Sequence, residues 1–174
     1  MEGRMGQGNE GNVAPTAALL LGLGYLGIGL VGFAATGFTG FVEDTNESLL
    51  GFDLNIFHNI VHFAIGLGLV LASQLRDVSI TQGVLIGVGL FYVLAALLGF
   101  INYLQIISID GNFAPINFFH LLTGVGALLF GLIGARQQNN SRGSGPDTGR
   151  RGTRPMEERR AAWDRGGTYR EGSY

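Results

Sequence analysis

The chain of 174 residues contains no cysteine and no lysine. Without cysteine there is no disulfide, thiolate metal site, iron–sulfur cluster or cysteine nucleophile. Without lysine there is no Schiff-base chemistry and no phosphate-loop lysine. Charge of any kind is scarce: Asp, Glu, Lys and Arg make up 14% of the residues, against roughly 25% in soluble domains. It is also unevenly placed, because four long stretches carry none at all. These absences exclude a disordered chain, a coiled coil and an ordinary soluble enzyme. There is no Ser/His/Asp set with a plausible shared site, no HExxH, no Walker motif and no GxGxxG after a strand, so the chain is read as non-enzymatic.

What the sequence does have is apolar length. The uncharged stretches run from about Val13 to Thr36, Ile56 to Leu75, Ile80 to Tyr103 and Asn117 to Ala135. Each matches the roughly 20 residues that span a hydrocarbon core as a helix, and none shows the period-two alternation of a barrel strand. The predicted fold is all-α, an integral membrane four-helix bundle. Residues 1–12 form a short cytoplasmic segment, residues 13–135 the transmembrane domain, and residues 136–174 a disordered, Arg/Gly/Ser-rich cytoplasmic tail. A short helix is expected inside the tail at Pro155–Asp164. The first apolar stretch exceeds the 7–15 residues of a signal-peptide core and is read as a retained span.

Arginine placement sets the orientation. The connections Gly37–Asn55 and Leu104–Ile116 hold acids and no arginine, whereas Arg4, Arg76 and the nine arginines after Ala135 all fall on the other side of a four-span topology. The positive-inside rule then places both termini in the cytoplasm of a bacterial plasma membrane. The formal charge of −2 hides this division: residues 1–135 carry two arginines against eight acids, and the tail nine against five.

The second and fourth segments share a motif. Asn59, His62, Gly66 and Gly68 recur as Asn117, His120, Gly124 and Gly126, in the pattern N-x-x-H-x-x-x-G-x-G. Gly32-Phe33 and Gly99-Phe100 echo each other in the first and third segments. The chain is therefore expected to consist of two tandem two-helix hairpin repeats, related by an axis along the membrane normal. At about 100° per residue, Asn59, His62 and Gly66 share one helix face, as do Asn117, His120 and Gly124, while His58 is read as lying about 100° or more off that face. Small residues repeat every fourth position at Ala14-Ala18-Gly22, Ala64-Gly68-Ala72, Gly83-Gly87 and Thr123-Ala127-Gly131-Ala135. Such rows let helices approach closely, within one bundle or between two copies in a homodimer.

Intramembrane polar groups are functional hypotheses by default. Asn59, His62, Asn102, Asn117 and His120 gather toward the outer end and are the candidate ligand-binding residues, with His62 and His120 the candidate metal or haem ligands. The bland alternative has the two imidazoles hydrogen-bonded to an asparagine or a backbone carbonyl, clamping the repeats together. The cytoplasmic halves hold few polar groups, chiefly Ser73 and Gln74.

The repeated Asn/His/Gly motif on two of four spans, with an acidic first outer loop, resembles the domain of unknown function 4383 family of small four-span bacterial membrane proteins. The resemblance rests on Asn59, His62 and Gly66, then Asn117, His120 and Gly124, and covers about Pro15 to Ala135. It implies fold and location and adds nothing to mechanism. The function expected first is a structural or interaction role with no cofactor. The second is a bis-histidine haem or metal protein, and the third a small-ligand binder or transporter subunit. The expected partners are the bilayer, and anionic lipid or a protein docking on the basic tail, with nucleic acid excluded by the acids interspersed among its arginines.

Overall fold

The structure, a computed structural model, describes residues 11–38, 40–42, 48–49, 52–109 and 111–143. The N-terminal residues up to Glu10, the loop acids Glu43, Asp44, Glu47 and Asp110, and the tail from Ser144 onward with its expected helix at Pro155–Asp164 lie outside the described residues.

Uncharged apolar stretches become helices in lipid because only intrasegment hydrogen bonds satisfy their backbone. The four helices are α1 (Val13–Thr36), α2 (Ile56–Ser73), α3 (Val78–Phe100) and α4 (Pro115–Gly143), and all are long and apolar enough to cross a membrane. The chain is thus a multi-pass membrane protein. Local chemistry sets each start. Asn12 caps α1 by accepting from the Ala14 N–H at 3.0 Å, Asn55 caps α2 by accepting from the His58 N–H at 2.9 Å, and Asp77 caps α3 by accepting from the Ser79 N–H at 3.0 Å. Pro115 opens α4, where its missing N–H costs nothing.

Three helices differ from the sequence reading at their boundaries. Helix α2 stops at Ser73, short of Leu75. Helix α3 begins at Val78 because Asp77 caps it, and ends at Phe100, short of Tyr103, where Asn102 turns left-handed (φ 60°) and closes the last turn. Helix α4 continues past Ala135 through Arg136 to Gly143, residues the composition had assigned to the disordered tail. Lost apolar character marks the membrane boundary and leaves backbone hydrogen bonding free to continue. The first connection holds an unforeseen antiparallel hairpin, β1 (Ser48–Leu49) with β2 (Phe52–Asp53), and the second a 3-10 turn at Gln105–Ile107.

Helix α1 packs chiefly on α2, and α3 chiefly on α4. Glycine makes both approaches close. A Cβ on Gly66 would stand 2.5 Å from the Leu26 nitrogen, and one on Gly124 2.8 Å from the Val93 nitrogen. The core between the pairs is small-residue and aromatic: Ala14, Ala17, Ala18, Tyr25, Leu69, Val78, Leu85, Tyr92 and Ala127. Large apolar side chains such as Leu20, Leu71, Leu94 and Leu122 face outward, as lipid exposure favours. Of the small-residue rows, those on α1 and α4 turn inward. Ala64 and Gly68, and Gly83 and Gly87, instead face outward.

Polar groups at the end where α1 begins exceed the Ser73 and Gln74 expected there. Asn12 donates to the Gly134 carbonyl at 2.9 Å, and Gln137 accepts from the Val13 N–H at 3.1 Å. Thr81 and Gln82 are buried on α3, and Thr81 donates to the Ala72 carbonyl at 2.7 Å.

Candidate metal centre

Toward the opposite end, His58 and His62 stand on successive turns of α2 and His120 faces them from α4. All three are buried, and each can offer one ring nitrogen to a group of three lying within 4.8 Å of one another. Ring centroids are 4.4 Å apart for His58 and His62, 5.9 Å for His58 and His120, and 6.1 Å for His62 and His120. Asn55, just above His58, ties the helix start to the second connection by donating to the Ile106 carbonyl at 3.0 Å. The His58 ring lies beside the Ile107 carbonyl without forming a hydrogen bond of good geometry.

Two tyrosines wall the cluster. Tyr25 from α1 and Tyr92 from α3 stack with centroids 4.8 Å apart and planes 9° from parallel. Tyr25 packs on His62 at 5.4 Å and Tyr92 on His120 at 5.1 Å. The Tyr25 hydroxyl donates to Thr123 Oγ1 at 2.7 Å, and that hydroxyl donates on to the Phe119 carbonyl at 2.9 Å. The buried Tyr92 hydroxyl sits next to Tyr25 but makes no well-formed bond.

All six imidazole nitrogens are buried with no hydrogen-bond partner among the described residues. A neutral imidazole carries one donor and one acceptor, and leaving either unsatisfied in the interior costs about 1–3 kcal/mol. The hydrogen-bonded clamp expected from sequence, imidazole to asparagine or carbonyl, is therefore not what these rings form. The acids among the described residues, Asp53 and Asp77, are both exposed. Among the described residues the cluster is thus a set of lone pairs with no counter-charge from a carboxylate, and the chain has no thiolate to offer.

The sequence-derived candidates divide. His62 and His120 come together. Asn59 turns away to donate to Thr36 Oγ1 at 3.0 Å and rests against the Gly32 backbone. Asn117 rests in the same way against Gly99 and donates to the Gly111 and Asn112 carbonyls at 3.3 Å. Asn102 organises the second connection, its Oδ1 accepting from the Gly111 N–H at 2.8 Å. His58 joins the cluster, contrary to its expected direction. Positions four apart on a helix differ by only about 40°, so His58 and His62 are ring neighbours whatever face Asn59 takes. That H-x-x-x-H spacing was the available signal. The tyrosines had one too: Tyr25 precedes Gly32, and Tyr92 precedes Gly99, by the same interval.

Searches of curated proteins and of solved structures find no match. The family model described as domain of unknown function DUF4383 matches residues 16–133, most of the chain and all four spans in whole or large part. The pairing of spans by Asn/His/Gly motifs thus occurs in a chain that belongs to the DUF4383 family.

Proposed function

We propose that this membrane protein binds a transition-metal ion at His58, His62 and His120. The observation that carries the reading is the burial of six unpartnered imidazole nitrogens on three residues whose ligand atoms lie within 4.8 Å. A bound ion with metal–nitrogen distances of about 2.0–2.1 Å would draw the three donors to about 3.4 Å apart, a closure within reach of imidazole rotation. The stacked tyrosines and adjoining helices would hold the rings as a supporting shell. The geometry favours an ion over a haem, because the rings of His58 and Tyr92 occupy flanks of His62 and His120 that a porphyrin would need.

The finer architecture belongs to the same reading. The hairpins α1–α2 and α3–α4 are copies of one unit, supported by the matched pairs Gly32–Asn59 and Gly99–Asn117, and Gly22–Gly66 and Gly89–Gly124. Tyr25 pairs with Tyr92 and His62 with His120 in the same register, while Ile116 stands where a second His58 would be. The histidine cluster lies in the outer half of a bacterial plasma membrane, with both termini in the cytoplasm. The basic tail attracts anionic lipid headgroups. A second copy would meet the open α3 face at Gly83 and Gly87.

Elemental analysis of the purified chain, followed by titration with transition-metal ions and thermal unfolding, tests the site. Stoichiometric metal, or a metal-dependent rise in unfolding temperature, is expected in the wild type and lost in His62→Phe and His120→Phe, which retain ring volume. A metal-free protein that no ion stabilises would overturn the reading. A Soret band lost in the same variants would replace the ion with haem.

A further inference from the structure

Resting on the three-histidine site, we infer that the ion it takes is monovalent copper, Cu(I), held by neutral imidazoles alone. Charge selects the ion. His58, His62 and His120 are 1%, 2% and 1% exposed, so the ion's charge would be buried almost completely. The chain has no cysteine, and none of the four spans carries an acid before α4 leaves the apolar stretch. The described acid of the adjoining connections, Asp53, is exposed and outside the cluster. Among the described residues the site therefore meets no anion, and dipoles are left to bear the ionic charge.

The cost of burying an ion rises with the square of its charge, so a dication is penalised about fourfold over a monocation of similar size. A dication needs a compensating anion, which in this surrounding means hydroxide or a tyrosinate. Tyr25 is committed as a donor to Thr123 at 2.7 Å. Tyr92 would have to ionise among Tyr25, His62 and His120 in an otherwise apolar core. Cu(I) avoids both requirements. It has a filled d shell, accepts imidazole donors and is content with three ligands in a plane. Nothing is oxidised or reduced on binding; each imidazole keeps its remaining N–H and gives one lone pair to the ion. The asymmetry of the cluster sets the number of ions. Only the first hairpin contributes a second histidine, Ile116 taking the equivalent place in the other, so the donors suffice for one ion.

The test uses the full chain in micelles, anaerobically, with competing chromophoric chelators for Cu(I) and for Zn²⁺. One Cu(I) per chain is expected, bound more tightly than Zn²⁺, with affinity falling by about 100-fold or more in His62→Phe and His120→Phe. His58→Phe should fall by a similar factor, and the fine structure beyond the copper X-ray absorption edge should report nitrogen scatterers and no sulfur. Tyr92→Phe keeps the ring that packs on His62 and His120 and removes only the hydroxyl, so it should still bind one Cu(I) per chain, with an affinity loss no larger than the roughly 10–100-fold of a supporting-shell change. Histidine-dependent Zn²⁺ binding tighter than that of Cu(I), or loss of binding in Tyr92→Phe, would overturn the neutral Cu(I) site while sparing the three-histidine reading. Absence of histidine-dependent binding by any transition-metal ion would overturn both.

Discussion

A single added methyl group separates structural glycines from incidental ones in this bundle. At Gly66 the new carbon would meet the Leu26 backbone at 2.5 Å, so α1 and α2 would have to move apart. Gly66→Ala is expected to cost about 1–3 kcal/mol by overpacking, measured as a shift in reversible unfolding in mixed micelles. Gly68→Ala adds its carbon where nothing lies within 4 Å and should leave the curve unchanged. A comparable loss in Gly68→Ala would mean that α2 packs on a different face. Asn59 is a second point of leverage. Its bond to Thr36 Oγ1 spans two helices at 3.0 Å, and interhelical bonds of this kind average about 0.6 kcal/mol. A double-mutant cycle between Asn59→Ala and Thr36→Val should return a coupling of about that size; strict additivity would remove the bond from the account of α1–α2 pairing.

At the scale of elements, the helix starts carry most of the polar order outside the cluster. Asp77 caps α3 by accepting from both the hydroxyl and the N–H of Ser79, at 2.6 and 3.0 Å. Those bonds, the hydroxyl's first and Arg142 adding a smaller share, hold its carboxyl below the usual range. A carboxyl lowered on folding stabilises the folded state fully above its unfolded value, about 3.9, and that share is lost as pH falls through the lower folded value. Asp77→Asn keeps a capping oxygen and removes the titration. Wild type should therefore lose stability on acidification from about pH 5 to pH 3 more steeply than Asp77→Asn, in thermal unfolding followed by circular dichroism. Parallel acid profiles would show that the cap does not couple to stability. The chain's other ends follow the same logic, since Asn12 both caps α1 and donates to Gly134 on α4.

At the scale of the whole molecule, an even number of spans puts the first and last helix ends on one side, and arginine decides which side. Arg76, Arg136 and Arg142 share it among the described residues. A fluorescent protein fused at the C-terminus should fold and fluoresce in the cytoplasm, while alkaline phosphatase at the same point should be inactive and should become active when inserted between β1 and β2. The reverse pair of results would invert the orientation and put the histidine cluster in the inner half of the membrane.

The sequence by itself determined the class, the number of spans and their approximate limits, because lipid leaves an uncharged stretch of about 20 residues only one way to satisfy its backbone. It also marked His62, His120 and the glycines beside them, since repetition at fixed spacing is a one-dimensional signal. Helix ends were legible to within a few residues where caps such as Asp77 were overlooked, and α4 outran its apolar segment because backbone hydrogen bonding does not stop where hydropathy does. Tertiary structure alone decided which polar residues meet. Asn59 and Asn117 share a helical face with the histidines, yet the close approach at Gly32 and Gly99 turns them onto neighbouring backbones. Tyr25 and Tyr92 stack because α1 and α3 bring them together in the core, a relation no span contains within itself. The third histidine entered the cluster through the same assembly: α2 presents His58 and His62 together, and only the docking of α4 brings His120 to both.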